Sequence, residues 1–174
     1  MTHRTTARIE DESGFSLIEL LVVVLIVGIL AVIAIPSFLS QTSKAYAASA
    51  KELARSAQTT ADSIATDHQG GFGGLSTSSL LNYEPTLSTS STTAANSAWI
   101  YSASGNVDSF VVTVETASTA ELFSIVDAKG SVTRVCGAAG SWTPPAVNSP
   151  PSGSGVASYT VSTGTRGGCI NGRW

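Results

Sequence analysis

At 174 residues the chain has room for one domain, or for one long helix and one domain. Only 12% of its residues are charged, and the formal net charge is −3 with the charges scattered along the sequence. That balance excludes the broad electrostatic footprint of a nucleic-acid-binding protein, and no specific nucleic-acid site is evident.

The first 14 residues are mixed in sign: Arg4 and Arg8 are followed by Glu10, Asp11 and Glu12. An apolar run follows. Residues 20–35 carry no polar side chain, and over residues 15–39 the one ionisable group is Glu19. A helix rises about 1.5 Å per residue, so about 20 apolar residues cross a bilayer's hydrocarbon core. This run is long enough to span. A secretory signal peptide has a basic start and a small-residue cleavage site behind its apolar stretch. Here the small residue, Gly14, stands in front, and Ala34-Ile35-Pro36 is a poor cleavage site.

Gly14-Phe15-Ser16-Leu17-Ile18-Glu19 resembles the processing site of type IV prepilins and pseudopilins. The resemblance covers Gly14 to about Tyr46 and says little about residues 70–174. It implies that prepilin peptidase cuts after Gly14 and that the new N-terminal Phe15 is N-methylated. It further implies a single-pass precursor in the cytoplasmic membrane, N-terminus inside, which joins a cell-surface filament after processing. Charge placement leaves that orientation open, because Arg4 and Arg8 flank one end of the run and Lys44, Lys51 and Arg55 the other. The partners implied are other pilin subunits, the peptidase, the assembly machinery and the membrane; no cofactor or metal is implied.

Glu19 has two readings. A carboxylate inside a membrane helix costs about 2.5–3.5 kcal/mol on insertion scales and usually has a partner. The resemblance supplies one: the free amine of Phe15 on a neighbouring subunit, which exists only after cleavage. The local reading is an S-x-x-E capping box over residues 16–19. Gly28 and Pro36 cost a helix about 1 and about 3 kcal/mol relative to Ala. Both are common in membrane helices, where Pro36 would only kink the run. The resemblance instead matches them to helix-weakening positions that unwind on filament packing.

Beyond Pro36 the pattern turns amphipathic. Leu39, Tyr46, Ala50, Leu53, Ala57, Ala61 and Ile64 recur mostly at steps of three, four or seven, while Lys44, Lys51, Glu52, Arg55 and Asp62 fall off that stripe. The helix is expected to run to about His68 and to stop at Gly70-Gly71. At 1.5 Å per residue that is about 80 Å. Residues 70–97 read as a connector. The glycines at 70–74 lack the strand before and the Lys-Ser/Thr after that a phosphate loop needs. Residues 79–83 suggest one helical turn, and the Ser/Thr run at 88–93 a solvated loop.

Strands are expected from residue 98. Residues 99–103, 109–115, 121–127 and 131–136 are separated by turns at Ser104-Gly105-Asn106 and Ala128-Lys129-Gly130. Phe110, Val112 and Val114 share one face; for the third strand both Phe123/Ile125 and Leu122/Val126 qualify. Residues 137–174 are rich in Gly, Pro and Ser, with 156–162 alone strand-like. The expected fold is α+β, a long N-terminal helix covering a C-terminal antiparallel meander. The expected division is a cleaved leader (1–14), an assembly helix (15–39), its amphipathic continuation (40–69), the connector (70–97) and the sheet domain (98–174). Given an external location, Cys136 and Cys169 are expected to form one disulfide, bounding the C-terminal loop that pilins often carry.

After residue 14 the one histidine is His68, near Asp62 and Asp67 at a helix end. No CxxC, HExxH, GxSxG or Walker pattern is present, so the chain is not read as an enzyme. The leading expectation is a type IV pilus subunit. A type II secretion pseudopilin shares the same N-terminus but lacks clear acidic counterparts here to that group's calcium ligands. A monomeric membrane-anchored binding domain would leave Glu19 and the cleavage motif without purpose.

Overall fold

The computed structural model describes residues 14–90, 98–117, 120–138, 145–147, 169 and 173–174. A single helix, α1 (Leu17–Asp67), is followed by α2 (Thr77–Tyr83) and four strands, β1 (Ala98–Gly105), β2 (Ser109–Thr116), β3 (Glu121–Ala128) and β4 (Ser131–Ala138). The strands form an antiparallel meander in the order β1-β2-β3-β4. The chain divides into two compact units, residues 1–39 and 40–174.

In the first unit the large apolar side chains face outward, from Val22 at 45% to Leu17 at 82% exposure. This part of α1 has no core of its own. It is long and apolar enough to cross a membrane.

In the second unit α1 covers the sheet through small residues. Ala47, Ala50, Ala54, Ala57, Ala61 and Ile64 are buried together with Ile100, Phe110, Val112, Val114, Phe123 and Ile125. Alanine at the contact leaves room for the aromatic and branched residues of the strands. Each large side chain so buried contributes about 1.5–3 kcal/mol, so burial rather than helix propensity holds α1 in place. The stripe is shifted from the sequence expectation. Leu39 stays exposed at 62%, whereas Ala47 and Ala54 are fully buried. Ile64 is buried in the stripe and Leu53 packs against it, as expected.

The opposite face of the sheet is apolar too. Val111, Leu122, Val126 and Val135 cluster there with Val147. Thr113 and Ser124, paired in register, join their hydroxyls at 2.7 Å and so satisfy two buried polar groups. Both candidate faces of β3 are therefore buried, which explains its lack of polar alternation. The β3–β4 hairpin turns through Lys129 (φ 55°) and Gly130 (φ 81°), the pair of left-handed residues that a two-residue hairpin requires.

The connector lies along the outer edge of β1. Phe72 N donates to Asn106 O at 2.8 Å, Ser76 bridges Ser104, and Ile100 N donates to Ser88 O at 2.7 Å. These bonds occupy an edge that would otherwise be open to strand addition. Ser76 caps α2 in a box with Ser79, so this helix begins two residues before the expected turn. Helix α1 ends on Gln69 (φ 59°), and Gly70 N reaches back to Ala65 O at 2.7 Å. That is the six-to-one bond of a Schellman cap, with glutamine in the left-handed position ahead of the glycine.

Gly105 is not a turn residue. It ends β1 in extended backbone, under the connector. A Cβ there would overlap the Phe72 carbonyl oxygen and stand 2.7 Å from Phe72 Cβ and 3.0 Å from Leu75 Cβ. At the far edge, Arg173 bridges Val135 and Trp174 Nε1 donates to Val135 O at 3.1 Å. Residues 156–162 lie outside the described part.

Candidate functional site

The N-terminal segment is built from exposure. Gly14, Phe15 and Ser16 precede the first turn of α1, and the helix is entered through Leu20 N donating to Ser16 O at 3.2 Å. The Gly14–Phe15 peptide bond thus lies outside the helical ladder, where a peptidase can take it as extended chain. Nothing stands within 4 Å of a Cβ built on Gly14, so this chain alone does not demand glycine there. Phe15 is 79% exposed, and Glu19 is exposed one turn further on.

The capping box expected at residues 16–19 is not formed. Neither the Ser16 nor the Glu19 side chain makes a hydrogen bond with the described residues. Glu19 is therefore presented by the first turn of α1, surrounded by apolar side chains and not consumed locally. Its position in that turn suits the positive end of the helix. Gly28 has open space around it, and Pro36 sits inside α1 without ending it. Having no N–H, Pro36 leaves the Val32 carbonyl without its usual donor.

Residues 11–35 match the family model of the prokaryotic N-terminal methylation motif. This chain carries a prepilin-type N-terminus. No curated protein and no solved structure matches the chain. The motif marks a type IV pilin-like or pseudopilin-like precursor, a substrate for prepilin peptidase and for pilus-type assembly machinery. The exposed apolar helix behind it is long and apolar enough to anchor the chain in a membrane.

The remaining candidates lie in the second unit. Cys136 and Cys169 are joined in a disulfide, Cα–Cα 5.8 Å apart, across a sequence separation of 33. The bond ties residue 169 to β4 beside the buried Phe123. His68, Asp62 and Asp67 are not brought together as a group. Asp67 accepts a hydrogen bond from Tyr83 Oη at 2.7 Å, which raises the tyrosine's pKa. Partial burial, and then the charge of Asp127, raise the Asp62 pKa above the usual carboxylate value. Sequence reading missed the ring of cations around Trp174, because Lys51, Arg55 and Arg134 are far apart along the chain. A signal existed only in the isolated tryptophan at 174, next to Arg173.

Proposed function

We propose that this chain is a structural subunit of a type IV pilus. Prepilin peptidase removes residues 1–14, Phe15 becomes the methylated N-terminus, and the subunit waits in the membrane with its C-terminal unit outside. The observation that carries this reading is an exposed apolar helix start with one carboxylate, directly behind a prepilin-type cleavage motif.

The physical argument concerns Glu19. Apolar helices gain little by leaving lipid for one another, because lipid tails are equally apolar. A carboxylate in that setting rewards association with a cation. Cleavage at Gly14 creates the cation, the Phe15 amine, and the pairing of Glu19 with the amine of the next subunit fixes the axial stagger. Repeating such a head-to-tail contact need not close, so it generates a helical filament. Gly28 and Pro36 supply the weak length of helix that adjusts to the packing. In this reading the chain is not an enzyme, and the disulfide-bounded loop lies on the filament surface.

Glu19→Ala tests the proposal. The variant is expected to be inserted and cleaved at Gly14, with incorporation into filaments impaired. Normal filaments made only of Glu19→Ala chains would refute the assembly role. A knockout that leaves surface filaments intact and stops type II secretion would assign the chain to secretion pseudopilins instead.

A further inference from the structure

One side chain touches three elements of the second unit. The Trp174 indole Nε1 donates to Val135 O of β4 at 3.1 Å, and the Arg173 backbone bridges the same residue. The indole also makes an edge-to-face contact with the Phe123 ring of β3, centroids 5.9 Å apart. Lys51 Nζ and Arg55 Cζ of α1 lie 5.9 and 5.8 Å from its centroid, and Arg134 Cζ of β4 lies at 5.7 Å. Cations at such distances are drawn to an aromatic ring by its quadrupole. With its N–H accepted and its body packed on the main core, Trp174 has a defined seat. That seat joins α1 to the β3–β4 edge of the sheet.

The seat lies beside the disulfide. Cys136 follows Val135 in β4 and is in register with Phe123. Its partner Cys169 precedes Trp174 by only a few residues. While the two cysteines are joined, the indole therefore hangs on a short leash fixed next to its seat. A short tether raises the effective concentration of a group at its site, and so strengthens contacts that are weak by themselves. Cutting the bond removes the leash but leaves each contact of the indole the same in kind. Cys169 keeps 9% of its surface against 1% for Cys136, so a reductant meets Cys169 first.

We infer that Trp174 is a redox-controlled clasp between α1 and the sheet, closed while Cys136 and Cys169 are joined and open once they are reduced. The reductant is a dithiol. Its thiolate attacks Cys169 Sγ, forms a mixed disulfide and expels Cys136 as a thiolate, which takes up a proton. The second thiol of the reagent then displaces Cys169, and the reagent leaves as its own disulfide; two electrons and two protons have passed to the cysteines. Opening takes the indole off Lys51 and Arg55, frees the Val135 carbonyl on the outer edge of β4, and uncovers part of Phe123, which is fully buried when the clasp is closed. An edge acceptor and an apolar ring are then exposed together, the combination that invites strand pairing. The device uses neither Glu19 nor Phe15 and does not depend on the filament reading.

The test follows the Trp174 indole proton by NMR in the full chain, labelled with nitrogen-15 and held in detergent micelles. Loss of the peak in Trp174→Phe assigns it. In the oxidised chain the proton is held by Val135 O and exchanges slowly with deuterium. Reduction with dithiothreitol should speed that exchange at least about tenfold, and reoxidation should restore the slow rate. Backbone amides of β2 and β3 should stay slow throughout, which shows that the sheet remains folded. An indole rate that is the same in the oxidised and reduced chains overturns the inference. The second arm needs no folded reduced state. Coupling is reciprocal, so a chain without the clasp should give up its disulfide more readily by the same factor. Trp174→Ala, prepared oxidised and folded, should shift its equilibrium with dithiothreitol toward the reduced form at least about tenfold. A Trp174→Ala chain with the wild-type equilibrium overturns the inference, whether or not reduction opens the rest of the unit.

Discussion

Gly105→Ala places one methyl group where the connector crosses β1. The added carbon meets the Phe72 carbonyl oxygen and Cβ and the Leu75 Cβ, all three backbone or backbone-attached atoms that cannot rotate away. Residues 72–75 must lift. Lifting breaks the bond from Phe72 N to Asn106 O, worth about 1 kcal/mol. It also loosens the Phe72–Phe110 ring contact at 4.7 Å, about 0.5–1.5 kcal/mol, and re-exposes part of Leu75, now 95% buried. The expected loss is about 2–4 kcal/mol, within the usual range for overpacking and lost contacts. At about 4 °C per kcal/mol for a unit of this size, the midpoint should fall by about 8–16 °C. Denaturant or thermal unfolding of the processed chain in detergent, followed by tryptophan fluorescence, measures it. Gly73→Ala, with nothing within 4 Å of the new carbon, is the control and should stay within about 0.5 kcal/mol. Equal midpoints for Gly105→Ala and wild type would show that the connector does not rest on β1 as described.

The disulfide closes a long loop, so Cys136→Ser with Cys169→Ser should cost about 4 kcal/mol by the chain-entropy argument, read as a lower denaturation midpoint; thiol alkylation should label neither cysteine before reduction. Asp62 has a pKa raised by burial and by Asp127, so the fold binds its proton more tightly than the unfolded chain does. Its destabilising effect is therefore absent below the unfolded carboxylate pKa and grows as pH rises through the folded value. Asp62→Asn should stabilise the chain at neutral pH and make little difference at about pH 3, a contrast that paired melting curves at the two pH values will reveal. Thr113→Val should strand the Ser124 hydroxyl in the sheet and cost about 1–3 kcal/mol, whereas Thr113→Val with Ser124→Ala should recover most of it in the same assay.

Some of this was readable from residues because the signals are local. Phe110, Val112 and Val114 alternate, and a turn was legible at Ala128-Lys129-Gly130, which the structure narrows to Lys129-Gly130 because Ala128 still pairs with Ser131. The cleavage motif is contiguous, so Gly14, Phe15 and Glu19 stood out before any fold was known. What escaped depends on residues distant in sequence. Gly105 resembles a turn glycine, and only the approach of Phe72 shows that it makes room for a crossing chain. The spacing on α1 correctly picked out Ala50, Ala57, Ala61 and Ile64, but it also took in Leu39, which is exposed, and left out Ala47 and Ala54, which are buried. Leu122 and Val126 could not be assigned a side from alternation, because both faces of β3 are covered. The capping box at Ser16 fits the sequence pattern but not the observed bonds, which leaves the Glu19 carboxylate for a partner.

The most direct test of the account is the mass and sequence of the N-terminal peptide from membrane and filament fractions. The chain is predicted to begin at Phe15, carrying one added methyl group, with residues 1–14 absent. Gly14→Val should leave the uncleaved precursor in the membrane. A mature chain that begins at residues 34–36, or filaments built from chains that retain Met1–Gly14, would contradict it.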